Sequence, residues 1–228
     1  MTKKENTVSA IGQMVNSENV YHLGNPNAKK RILIIGNSIT LHGVRADIGW
    51  HGNWGMAATK PEYDYVHKLY EYLQRDGFDV CIRVRQAVQE WECCYPKNDV
   101  LNAFVEDREF EADILLFRLG ENIQAEYIEK PIDETELFTK MKELVEFVIP
   151  QGKAVYSTCF WETKWSDACI RKLAAERKES VVELGTLSLD PAMKALNDFE
   201  HWGVANHPGD KGMQAIADLL YIEIKKLL

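Results

Sequence analysis

Five short apolar runs rich in β-branched residues, each followed by a longer segment of helical period, limit this chain to a parallel sheet covered by helices. The runs are Arg31–Ile35, Phe78–Val84, Asp113–Leu119, Lys153–Ser157 and Ser180–Leu184. Their near-continuous apolar character is that of strands buried on both faces. Between them, Val66, Leu69, Tyr70 and Leu73 mark one apolar helical face. Met213, Ile216, Ala217, Leu220, Ile224 and Leu227 mark another at the C-terminus. Weaker helical patterns cover Val100–Phe110, Glu134–Val148 and Asp167–Lys178, with Pro150 and Gly152 punctuating the return to a strand. The expectation is one α/β domain over residues 30–228 with a five-stranded parallel sheet, preceded by a polar N-terminal arm over 1–29 that contains the turn Gly24-Asn25-Pro26-Asn27.

Composition narrows the function classes. The net charge of -8 is spread along 228 residues, which gives no basic footprint for nucleic acid. The first twenty residues lack the apolar core and cleavage site of a secretory signal, and no stretch reaches the ~20 apolar residues that span a bilayer. A cytoplasmic protein without nucleic-acid or membrane partners is expected. Cys81, Cys93, Cys94, Cys159 and Cys169 form an odd set without a C-x-x-C spacing and read as reduced thiols, Cys159 being the weak candidate for a catalytic one. His201 and His207 with Asp198 or Asp210 match no zinc-site spacing, and neither G-x-G-x-x-G nor a P-loop lysine is present, so no metal or cofactor is expected.

In an open parallel sheet the ligand crevice lies beyond the carboxyl ends of the strands. That places chemistry at Gly36-Asn37-Ser38, Arg85-Gln86-Ala87 and Gly120-Glu121-Asn122, with Asn206-His207-Pro208 joining them from the loop before the last helix. Ser38 is either a nucleophile, which needs a base within hydrogen-bond reach, or the cap of a following helix. His207 is one of six histidines, with His22, His42, His51, His67 and His201 as competitors for the role of base. Asn122 either donates to a developing oxyanion or fixes its own loop. The stretch Gly49–Met56 reads as a crevice wall, and Trp91, Trp161, Trp165 and Trp202 are either stacking surface for a sugar ring or core.

Taken together, these segments resemble the SGNH (GDSL-like) hydrolase family, in which a Gly-Asp-Ser-like motif follows the first strand, a Gly-x-Asn motif the third, and the catalytic histidine precedes the last helix. The resemblance runs from about Arg31 to the C-terminus. It implies a flavodoxin-like three-layer α/β/α fold and a serine esterase acting on a small-molecule ester, an O-acetylated carbohydrate being the leading class. It makes Ser38 the nucleophile, His207 the base, and the Ser38 amide with the Asn122 side chain two oxyanion donors.

Three departures stand out. Asn37 replaces the family aspartate. The oxyanion glycine after the second strand has no counterpart, and the Ala87 N–H is the candidate in its place. Val204 occupies the position of the triad acid, three residues before the histidine. Either Asp198, Glu200 or Asp210 orients the His207 ring, or a backbone carbonyl near Val204 does, the carbonyl being preferred. The missing acid and glycine motivate the rival reading, a non-catalytic ligand-binding protein of the same fold. Oligomeric state and the role of the arm stay open at this level.

Overall fold

The computed structural model describes residues 13, 14 and 19–228. Six strands form one sheet: β1 (Val20–Gly24), β2 (Lys30–Gly36), β3 (Val80–Gln86), β4 (Ile114–Arg118), β5 (Lys153–Ser157) and β6 (Ser180–Val182), in the order β1-β3-β2-β4-β5-β6. The five strands read from the sequence are all present and parallel. The count of five is corrected by β1, which pairs antiparallel with β3 through Val20↔Arg85 to Gly24↔Cys81. It falls within the residues read as an arm. Its few apolar residues, Val20, Tyr21 and Leu23, are too sparse for a buried strand but suffice at an edge, where one side of the ladder is open to water.

Helices α1 (Tyr65–Arg75), α2 (Val105–Glu109), α3 (Ala125–Ile128), α4 (Glu134–Val148), α5 (Lys164–Arg177), α6 (Trp202–Ala205) and α7 (Asp210–Lys225) follow the strands. Because successive strand residues point to opposite faces, the sheet carries two separate cores. Ile32 and Ile34 of β2 pack with Val66, Leu69 and Leu73 of α1 and Met213, Ile216, Leu220 and Ile224 of α7. Leu33 and Ile35 pack with Leu137, Met141 and Leu144 of α4 and Ile170 and Leu173 of α5. The result is a three-layer α/β/α sandwich. Phe104 marks a change within the Val100–Phe110 segment, which opens as a 3-10 turn over Val100–Phe104 before α2.

Strands β3 and β4 flank β2 on opposite sides, so the chain reverses its direction of winding at β2. Such a switch point leaves a crevice at the carboxyl ends of the central strands. A third apolar cluster, Ile48, Trp50, Met56, Ala57, Ala195 and Val204, joins the loop after β2 to the segment before α7 and forms one wall of that crevice. No helix among the described residues is long and apolar enough to cross a membrane.

Candidate active site

Strand β2 ends in a tight turn that Gly36 permits: a Cβ there would lie 1.9 Å from the Thr40 hydroxyl oxygen. The Asn37 carbonyl accepts the N–H groups of Thr40 (2.8 Å) and Leu41 (3.0 Å), and the Ser38 carbonyl accepts that of Met56 (2.9 Å), which ties the turn to the crevice wall. Ser38 caps no α-helix; the next one, α1, begins at Tyr65 and is capped by Asp64. Its hydroxyl faces the crevice instead.

His207 lies between α6 and α7. Its Nδ1 is 2.6 Å from the Gly203 carbonyl oxygen and its Nε2 is 2.8 Å from Ser38 Oγ. A carbonyl only accepts, so the ring proton sits on Nδ1 and the Nε2 lone pair is left to receive the serine proton. Of the groups that the sequence left open, the carbonyl of Gly203 is the one that meets the ring. Asp210 instead accepts the Thr59 N–H (2.8 Å) and hydroxyl (2.7 Å). Asp198 and Glu200 line a neighbouring hollow with Ile48 and Gly49. Burial holds the His207 imidazole well below its ordinary range, down to about 3; the Gly203 bond opposes this, and His42, Arg118 and His201 add to it. Trp161 packs its ring edge-on to His207, with centroids 5.0 Å apart.

Opposite His207, the crevice is closed by a buried polar network. The Asn122 side-chain amide donates to Glu92 Oε2 (2.7 Å) and lines the crevice. Glu92 Oε1 accepts the Gly120 N–H (2.5 Å) and the Asn37 amide (3.3 Å). The Asn37 amide also donates to Glu121 Oε2 (2.5 Å), while Asn37 Oδ1 accepts from Arg118 Nη1 (3.1 Å). Arg118 Nη2 completes the set on Glu121 Oε1 (2.7 Å). Asn37, Glu92 and Arg118 are at most 1% exposed. Sequence reasoning missed Glu92 and Arg118. One signal was available: an arginine at the end of the apolar run Ile-Leu-Leu-Phe-Arg-Leu can be buried only against a carboxylate.

Ala87 is not brought to the site. Its N–H donates to the Gly36 carbonyl (2.8 Å), continuing the β2–β3 ladder by one residue, so this amide cannot also meet a ligand. The adjacent Gln86 does line the crevice, and its Oε1 accepts the Val88 N–H (3.1 Å). Trp91 is fully buried against Tyr95 and Phe117 and so belongs to the core. The crevice, of about 120 Å³, is further lined by Ile48, Met56 and Val88 and by Gln13 of the N-terminal segment, which meets the His42 ring at 2.7 Å. Among the described residues no cluster of three or more histidines, cysteines or acids is arranged to hold a metal ion. Burial raises the Cys159 thiol well above its ordinary range, as it does Cys93, Cys94 and Cys169, which leaves these sulfurs as protonated thiols.

A GDSL-like lipase from Parabacteroides merdae superposes with a TM-score of 0.56 at 18% identity, over 90% of this chain and 99% of that one. The chain carries the SGNH-hydrolase fold. A second GDSL-like lipase, from Bacteroides ovatus, gives 0.54 at 13% identity over 86% of this chain and 98% of the other. A family two carbohydrate esterase from Clostridium thermocellum gives 0.56 at 15% identity over 87% of this chain and 64% of its own length. At these identities the SGNH likeness is one of fold. No protein-family model and no curated protein matches the sequence.

Proposed function

We propose that this protein is a serine esterase of the SGNH type that hydrolyses a small acyl ester through an acyl-enzyme. The observation that carries the reading is the 2.8 Å contact between Ser38 Oγ and an imidazole nitrogen whose other nitrogen is committed to a carbonyl. Ser38 Oγ attacks the ester carbonyl carbon while Nε2 takes the hydroxyl proton. The carbonyl π pair moves onto oxygen. The resulting oxyanion is met by the Ser38 N–H and by the second Asn122 N–H, the first being held by Glu92. As the oxyanion collapses, the C–O bond to the alcohol breaks and the imidazolium returns its proton to the leaving oxygen. Water, deprotonated by the same Nε2, then releases the acid and restores Ser38.

The burial that makes His207 a weak base is offset in the transition state, where the imidazolium forms beside the oxyanion. The size of the crevice, about 120 Å³, bears on the acyl group. That favours acetyl or a similarly short chain. An acetylated carbohydrate is the substrate class proposed, and the carbohydrate esterase among the similar structures supports it.

A fluorophosphonate probe read by intact mass tests the assignment. Wild type is expected to gain one adduct that the Ser38→Ala variant does not. No adduct on folded wild type would overturn the reading in favour of a ligand-binding protein. With the Ala87 amide unavailable, Gln86 is proposed as the third oxyanion donor through its side-chain NH₂. Gln86→Ala is then expected to lower kcat about 10-fold or more on p-nitrophenyl acetate at unchanged KM. An unchanged kcat removes Gln86 from the site.

A further inference from the structure

Glu92 is a buried acid that no step above uses as an acid or base. It ends the single π-helical turn Val88–Glu92 after β3, is fully buried, and has donors on both of its oxygens. Oε1 receives the Gly120 N–H and the Asn37 amide; Oε2 receives the Asn122 amide. Among the described residues no cation is bonded to it, Arg118 being spent on Glu121 and Asn37. Burial and the neighbouring Glu121 carboxylate raise its pKa to about 7, so the ionised form is costly to keep there. A carboxyl group in this place is therefore poor as a source of stability.

What Glu92 does achieve is geometric. The terminal torsion of an asparagine is broad, and an unanchored amide samples many orientations. A carboxylate oxygen on one Nδ2 hydrogen fixes the amide plane, and with it the direction of the second hydrogen. The same carboxylate grips the peptide N–H of Gly120, two residues earlier in the chain. Gly120 has φ 141°, and a Cβ on it would lie 2.7 Å from the Ser166 Cβ and 2.8 Å from Cys159 Sγ, so this peptide is packed from its other side. Asn122 is thus held at side chain and backbone by one group.

We propose that Glu92 is a positioning residue that fixes the Asn122 amide, holding its free N–H toward the oxyanion that forms at Ser38. The proposal rests on the serine-esterase reading. Its test is a double-mutant cycle between Glu92 and Asn122, with kcat and KM measured on p-nitrophenyl acetate and folding followed by circular dichroism. Glu92→Gln is the informative change, since an amide must turn its NH₂ toward a donor whichever way it faces. E92Q and E92A are expected to lower kcat about 10- to 100-fold with KM within twofold of wild type. In E92Q/N122A the loss is expected to be no larger than in N122A alone, because the group that Glu92 positions is already gone. Should E92A not fold, the E92Q cycle stands by itself. Wild-type kcat in folded E92Q, or losses that multiply in the double variant, would overturn the proposal. Wild type that neither takes the fluorophosphonate nor hydrolyses the ester would instead sink the esterase reading beneath it.

Discussion

Ser38→Ala is expected to remove ester hydrolysis almost entirely, with kcat on p-nitrophenyl acetate lowered about 10⁴-fold or more, and His207→Ala to match it. The two act as one unit, oxygen and base 2.8 Å apart, so the double variant is expected to lose no more than either single one. What distinguishes this site from a triad is the response to changes in nearby acids. Where an aspartate orients the catalytic histidine, its amidation costs about 10⁴-fold. Here the Nδ1 proton goes to the Gly203 carbonyl, which no side-chain substitution removes. Asp198→Asn and Glu200→Gln are therefore expected to leave kcat within about threefold of wild type. A 10³-fold loss in either would show that a carboxylate reaches His207 during turnover, and the dyad would have to be abandoned.

Placing an aspartate at position 37 is expected to damage the protein. The Asn37 amide donates to Glu121 and Glu92, so Asn37→Asp would turn a donor into a third carboxylate facing two others inside the crevice wall. Arg118, which already bonds both Glu121 and Asn37 Oδ1, would then face three carboxylates, so the added charge brings no cation of its own. A buried charge left without a partner costs about 3–5 kcal/mol, and N37D is expected to lose that much in urea unfolding at pH 8. The sign of its pH dependence follows from the same repulsion. The folded state raises the pKa of the new carboxyl, so the native protein binds more protons than the unfolded chain across that interval. The deficit relative to wild type is thus greatest at high pH and shrinks as the pH falls toward 5. Stability equal to wild type at pH 8 would mean that the Asn37–Glu121–Glu92 arrangement is not what makes asparagine suitable here. Seen this way, Asn37 is a consequence of Glu92 and Glu121 rather than an isolated departure from the motif.

The sequence by itself determined a parallel sheet covered by helices, because alternation of buried strands with helical segments has few solutions and the period of apolar residues is local information. It also marked the segments that hold Ser38, Asn122 and His207, since strand ends and a turn-rich loop before a helix are legible from glycine, proline and the end of an apolar run, while the choice of these three residues came from the resemblance of the segments to the SGNH motifs. The edge strand β1 was not legible. Strand pairing at an edge is satisfied by backbone groups and asks little of the side chains. Tertiary structure alone decided the rest. Which carbonyl receives the His207 proton depends on the path of α6. That the Ala87 amide is spent on Gly36 depends on the register of β2 against β3. Glu92, Asn37, Arg118 and Glu121 lie up to 84 residues apart and become one network only when three strand ends converge. Side-chain type announces that a buried charge needs a partner; only the packed fold says which one it meets.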